Sequence, residues 1–171
     1  MFYEGGMATS PLPPFGASES QSPMVALDVV RGVSRLLLRH DLVAICEVPL
    51  GNGRRADLMA IDSRGAIVIV EIKVSRADLL GDGKWGDYLD YCDRFFWAVP
   101  AGFDLSPFDG EALGPGVSGL IVADRYDAAI AREAPLRPMP PARRKAETLR
   151  FARRSARRLL DLVDPDCATL G

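Results

Sequence analysis

The sequence predicts an α/β domain, a mixed central sheet flanked by helices, with a basic helix added at its C-terminus. Three observations predict it. Two apolar runs, residues 56–61 and 66–74, flank Asp62-Ser63-Arg64-Gly65, the pattern of two antiparallel strands joined by a tight turn. The second run opens Ala66-Ile67-Val68-Ile69-Val70, apolar at every position, as in a central strand covered on both faces. A helical segment then leads to two further apolar runs, 95–99 and 117–123. A strand–helix–strand unit beside a hairpin gives a mixed sheet with helices on both faces, in the order αβββαβ followed by one more strand.

Taken in order, residues 1–23 are rich in Gly, Ser and Pro and read as a disordered tail, with Met7 and Met24 as alternative starts. Pro23 opens a helix to about residue 39, with Val25, Val29, Val30, Val33, Leu36 and Leu37 as its apolar stripe. Gly32 inside it marks a close approach. Residues 42–50 form the first strand, in which Glu47 is the odd polar residue, and Gly51-Asn52-Gly53 turns into the second. After residue 74 a loop or short helical turn leads to a helix over 84–94, with Trp85, Leu89 and Cys92 towards the core. A Gly/Pro-rich connection separates the strands at 95–99 and 117–123, and residues 135–141 form a proline-rich hinge. The last element is a helix over 142–163. Its apolar stripe is Leu149, Ala152, Ala156, Leu159, Leu160 and Val163, and it carries eight cations against Glu147 and Asp161. The single domain thus spans 24–165.

Composition narrows the function classes. The 171 residues are 48% apolar, enough for one sizeable core. The net charge of −2 means that any nucleic-acid surface is local. Cys46, Cys92 and Cys167 are scattered without a C-x-x-C pair, against a disulfide scaffold or a cysteine zinc site. His40 is the only histidine, which removes histidine-rich metal sites and argues against Ser–His catalysis. No apolar run approaches the roughly 18–20 residues of a membrane span, and no basic segment with an apolar core marks a secretory signal. A cytoplasmic, reducing location without membrane association is the expectation.

Turn chemistry sets the register of the hairpin. A two-residue loop requires positive φ at Ser63 and Arg64, whereas a three-residue loop puts Gly65 in the left-handed position at no cost. Asp62 then pairs with Ala66, Asp57 falls opposite Glu71, and Lys73 points to the same side as Glu71. Two carboxylates and an ammonium converge on a patch where burying charge costs several kcal/mol per ion unless it is paired or bound to metal. A divalent cation resolves the conflict; a structural ion pair of Lys73 with Glu71 or Asp57 is the alternative.

Asp57, the turn and Glu71-Ile72-Lys73 resemble the D…(D/E)xK signature of the PD-(D/E)XK nucleases, with alanine at position 56 in place of proline. The longer string R-R-A-D…V-E-I-K-V-S-R-A-D-L…D-G-K-W-G-D-Y-L-D-Y-C-D-R-F-F-W-A-V is similar to the MmcB family of bacterial DNA repair proteins, over about residues 24–135. The resemblance implies a restriction endonuclease-like fold and a metal-dependent DNA nuclease, with a catalytically inactive DNA-binding or adaptor module as the alternative. Asp57, Glu71 and the Ile72 carbonyl would hold Mg²⁺ (or Mn²⁺), and Lys73 would position the attacking water. Asp28 on the first helix and Glu47 are further candidate ligands; a helix-start acid and a water-facing strand residue are their plainer readings. Lys84-x-x-x-Tyr88 is similar to the Gln-x-x-x-Tyr helix of RecB-like nucleases, which implies contact with a phosphate or stacking on a base. Arg54 and Arg55 flank the site, and Arg150, Arg153, Arg154 and Arg157 on the last helix suit a phosphate backbone. That helix equally suits an anionic membrane or a partner. DNA is the expected partner, with a repair protein or a second copy left open.

Overall fold

The structure, a computed structural model, describes residues 24–81 and 83–166; the expected tail over 1–23 lies outside them. The chain runs α1 (Ala26–Arg39), β1 (Leu42–Pro49), β2 (Arg55–Asp62), β3 (Ile67–Ile72), α2 (Arg76–Gly81), a 3₁₀ segment (Trp85–Tyr91), β4 (Arg94–Pro100), β5 (Ser118–Ala123), β6 (Ala128–Arg132) and α3 (Pro141–Val163). The strands form one sheet in sequence order, antiparallel from β1 to β3, parallel from β3 to β5, and antiparallel at β6. This is the mixed sheet that the hairpin and the strand–helix–strand unit predict.

Gly65 sits at φ +83° and its N–H donates to the Asp62 carbonyl at 3.1 Å. The Asp62 N–H donates to the Ala66 carbonyl at 3.0 Å, so the loop is the three-residue one. Leu58 pairs with Val70 and Ile61 with Ile67, the predicted register. Every residue of β3 is buried, because the sheet is covered on both faces. On one face Val29, Val33, Leu36 and Leu37 of α1 pack on Leu58, Val68, Val70 and Phe96. On the other, Met59, Ile67, Ile69, Phe95 and Trp97 pack under Leu79, Tyr88, Phe108 and Phe151. Gly32 lets α1 approach the β5–β6 turn: a Cβ there would lie 2.3 Å from the Asp124 carbonyl oxygen.

Three expectations are corrected. The helix over 84–94 is instead a 3₁₀ segment, Trp85–Tyr91, while the short helical turn expected before it is α2. Trp85, Tyr88 and Tyr91 recur every third residue, which the three-residue turn stacks on one face, and Tyr88 and Tyr91 are the ones buried. A sixth strand, β6, pairs with β5 at the sheet edge; Ala128-Ala129-Ile130-Ala131-Arg132 has one large apolar side chain and gave little signal.

The third correction is the roll of α3. Its expected apolar stripe faces away from the domain, with Leu149, Leu159, Leu160 and Val163 exposed, while Glu147 and Phe151 are buried. Charge-assisted bonds fix this roll. Arg144 grips the buried Asp93 with both terminal nitrogens at 2.7 and 2.6 Å and donates to the Gly65 carbonyl at 2.7 Å. Arg150 reaches the Pro49 carbonyl and Arg154 the Glu47 carbonyl, each at 3.4 Å, and within α3 the Arg150 Nε also donates to the buried Glu147 at 2.8 Å.

Candidate active site

Asp57 stands where two strand ladders open. The β1–β2 pairing passes from Cys46–Leu58 to Val48–Ala56 and omits the Glu47–Asp57 rung. The β2–β3 pairing ends at Leu58–Val70, one rung short of Asp57–Glu71. Side chains satisfy the main-chain groups left there: the Asp57 N–H donates to Glu71 Oε1 at 3.1 Å, and the Ile72 N–H donates to Asp57 Oδ2 at 2.8 Å. The two carboxylates therefore lie at one gap between the strands, as their register requires. Each gives one oxygen to the backbone, which offsets part of the cost of burial.

Glu71 is 4% exposed and Lys73 7%. The Lys73 N–H continues the sheet by donating to the Ala98 carbonyl at 2.9 Å, which aims the side chain back under the cleft. Its Nζ lies 3.8 Å from Asp78 Oδ1 and 5.8 Å from the centre of the Trp97 ring. Burial raises the Asp57 carboxyl above its ordinary range; the Ile72 N–H and Lys73 oppose that shift, and Glu47 and Asp78 add to it. A cleft of about 410 Å³ is lined by Glu47, Asp57, Glu71, Ile72, Lys73 and Asp78, with the start of α1 and Tyr88 as its other walls.

Asp78 is a site residue that sequence reasoning missed. Its signal was the Ser75-Arg76-Ala77-Asp78 capping pattern: Ser75 Oγ accepts from the Asp78 N–H at 3.1 Å, fixing α2 so that Asp78 meets Lys73. Glu47 holds a left-handed backbone, φ +52°, rare for a residue with a side chain, and its carboxylate is ion-paired with Arg55. Asp28 does not line the cleft. Its carboxylate accepts from the Val25 N–H at 3.2 Å and lies 3.9 Å from Arg125, so it is the helix-start acid.

The expected DNA contacts divide. Arg54 is forked onto Asp87 and lines, with Lys73, Asp78 and Lys84, a groove of about 640 Å³ that continues the cleft. Tyr88 is corrected as a base-stacking residue: its ring is buried, stacked on Phe95, and its hydroxyl donates to the Arg55 carbonyl at 3.1 Å. Arg150 and Arg154 hold α3 to β1, while Arg153 and Arg157 are exposed beside them, all four lining a groove next to Pro49.

The carboxylates of Asp57 and Glu71 are hard oxygen donors, which suit Mg²⁺ or Mn²⁺ better than a soft metal, although Cys46 also lines the cleft. Asp57, Glu71 and the Ile72 carbonyl are the groups that would hold such a cation, and Asp57 and Glu71 both line the cleft. Among the described residues no group of three or more His, Cys, Asp or Glu side chains is placed to hold an ion.

A mixed six-stranded α/β sheet whose cleft joins the part-buried Asp57 to the buried Glu71 and Lys73 defines the class of protein. The DNA repair protein MmcB-like family matches residues 14–166, and the chain belongs to that family. It is similar to a solved protein of unknown function from Silicibacter pomeroyi, with 43% identity and a TM-score of 0.74 over 86% of this chain and 95% of that one. No curated protein matches it. No helix among the described residues is long and apolar enough to cross a membrane.

Proposed function

We propose that this DNA repair protein is a metal-dependent deoxyribonuclease, acting on cytoplasmic DNA by hydrolysing phosphodiester bonds. The observation that carries the reading is the opening of both ladders at Asp57, which brings Asp57, Glu71 and Lys73 into one cleft. Asp57, Glu71 and the Ile72 carbonyl would hold Mg²⁺ (or Mn²⁺). When bound, the cation neutralises charge on the phosphate and acidifies a coordinated water. The Lys73 ammonium, buried and steadied by Asp78, orients the attacking water and offsets the negative charge that grows on the phosphoryl oxygens. Water adds to phosphorus, the P–O bond to the leaving oxygen breaks, and the leaving oxygen takes up a proton. No covalent intermediate with the protein is needed. Arg153 and Arg157, with Arg54 and Lys84 along the continuing groove, would meet backbone phosphates.

A non-catalytic DNA-binding module is the second reading. It is favoured by the absence, among the described residues, of a third side-chain ligand placed with Asp57 and Glu71 to hold an ion, Glu47 being held by Arg55. Cleavage assays on branched, single-stranded and duplex DNA in Mg²⁺, Mn²⁺ and EDTA separate the two. A nuclease cuts at least one substrate only with metal, and Asp57→Asn, Glu71→Gln and Lys73→Ala each lower the rate by roughly a hundredfold or more. DNA affinity in Ca²⁺ changes far less. Arg153→Gln with Arg157→Gln should flatten the salt dependence of duplex binding, by roughly 0.9 log unit for each phosphate no longer neutralised. Binding without cleavage in any metal assigns the adaptor role.

A further inference from the structure

α3 presents to solvent the face that a helix of this composition normally buries. Its inward face is Arg144, Glu147, Phe151, Arg154 and Ser155; its outward face carries Leu149, Ala152, Ala156, Leu159 and Val163. Those five positions are spaced three, four, three and four residues apart, the repeat of a two-helix seam. Leu149 is 55% exposed, Leu159 63% and Val163 76%. The buried salt bridge from Arg144 to Asp93 locks the roll, so the stripe cannot turn inward without breaking it.

We propose that the stripe is an interface between two copies of this chain, joined by antiparallel pairing of their α3 helices. The pattern is self-complementary in that direction. With Ala152 of one copy over Ala156 of the other, Leu149 falls on Leu159, and the alanines occupy the crossing where two helices come closest. The leucines fill the gap that widens on either side. Lys145 then falls beside Val163 and the helix C-terminus of the other copy, where a cation is favoured, and the two macrodipoles oppose. The exposed apolar stripe is on the order of 500 Å² per copy, at the upper end of what a monomer leaves uncovered. Two such faces together reach the roughly 1,000 Å² that a specific, concentration-dependent contact needs.

Charge sets how this contact responds to salt. Arg153 and Arg157 border the stripe on one side only, and Thr148 and Ser155 lie on the other. Antiparallel pairing puts both arginine borders on one side of the pair, leaving the other side neutral. Like charges then meet near the two-fold axis, so the dimer tightens as salt rises, opposite to the behaviour of a contact between unlike charges. A phosphate backbone does not cover leucines, and it binds more weakly in salt.

The test is sedimentation of the full chain over a concentration range at low and high salt, in the absence of DNA. A reversible dimer that strengthens with salt is expected. Leu149→Glu with Leu159→Glu should raise the dissociation constant by roughly a hundredfold or more, two factors of ten being about 2.7 kcal/mol. Both residues are exposed in the monomer, so the melting temperature at low concentration should stay unchanged. Chains with Cys46→Ser and Cys167→Ser fix the direction. Ala152→Cys chains mixed with Ala156→Cys chains should cross-link, and Ala152→Cys chains alone should not. Cross-linking of Ala152→Cys alone, or a monomer at hundreds of micromolar in all salts, overturns the proposal. A monomer that instead pellets with phosphatidylglycerol vesicles overturns it too and gives the stripe to a lipid surface.

Discussion

The bond between Asp93 and Arg144 carries a prediction whose size follows from its geometry. Asp93 is 2% exposed and its carboxylate accepts four hydrogen bonds: from Arg144 at 2.7 and 2.6 Å, from the Ile67 N–H at 2.8 Å and from the Met139 N–H at 3.0 Å. It thereby ties together β3, the chain leading into α3, and α3 itself. Asp93→Asn keeps one acceptor oxygen and turns an N–H₂ towards donors, which deletes the charge-assisted pair and leaves donors unpaired. Breaking a buried pair from one side costs about 3–5 kcal/mol. Arg144 retains 31% side-chain exposure and recovers some hydration, so the lower end, about 3 kcal/mol, is the expected loss. For a domain of this size that lowers the melting temperature by roughly 6–12 °C.

The pH dependence gives a second handle. Burial pushes the Asp93 carboxyl up, but the Arg144 fork and the two N–H bonds outweigh it and hold the carboxyl below its usual range. A carboxyl depressed in the folded state adds stability above its unfolded value of about 3.9, and that stability is lost as pH falls below it. Calorimetric melting of wild type and Asp93→Asn should therefore differ most at neutral pH and converge in acid. Arg144→Met and the double variant close the cycle, with a coupling of about 2 kcal/mol. A melting temperature for Asp93→Asn within a degree of wild type at pH 7 refutes the reasoning. So does a difference that persists unchanged into acid.

Two further predictions concern the site and the fold. In EDTA, ionised Asp57 penalises the folded state at neutral pH, because burial raises its carboxyl, and the penalty is relieved as pH falls through the folded pKa. Asp57→Asn, whose oxygen still accepts from the Ile72 N–H, should melt at or up to ~4 °C above wild type at pH 7, the gap closing towards pH ~4; a drop of several degrees sinks this. Gly32→Ala sets about 1 kcal/mol of helix propensity against a Cβ placed 2.3 and 2.5 Å from two main-chain oxygens. The clash should win by ~1–3 kcal/mol in a denaturant titration, and an unchanged midpoint means that α1 stands further off the β5–β6 turn than those approaches require.

The sequence by itself determined the hairpin and its register. Gly65 left one turn type open, and a period of two then placed Asp57 opposite Glu71 with no help from the rest of the chain. It also determined β3 as a central strand, because a run without polar positions has no face for water. Local patterns went unread where their period was unfamiliar: Trp85, Tyr88 and Tyr91 at every third residue spell a 3₁₀ turn, and Ser75-x-x-Asp78 spells the cap that brings Asp78 to Lys73. Only the tertiary structure decided that both ladders open at Asp57, since a skipped rung depends on how three strands twist past one another. It alone decided which side of α3 faces in. Hydrophobic periodicity predicts burial of Leu149, Leu159 and Val163, but Arg144 finds a buried carboxylate fifty-one residues back in the chain. Turning that face inward would leave the buried Asp93 carboxylate without its partner, and no local pattern in the sequence shows where that partner lies.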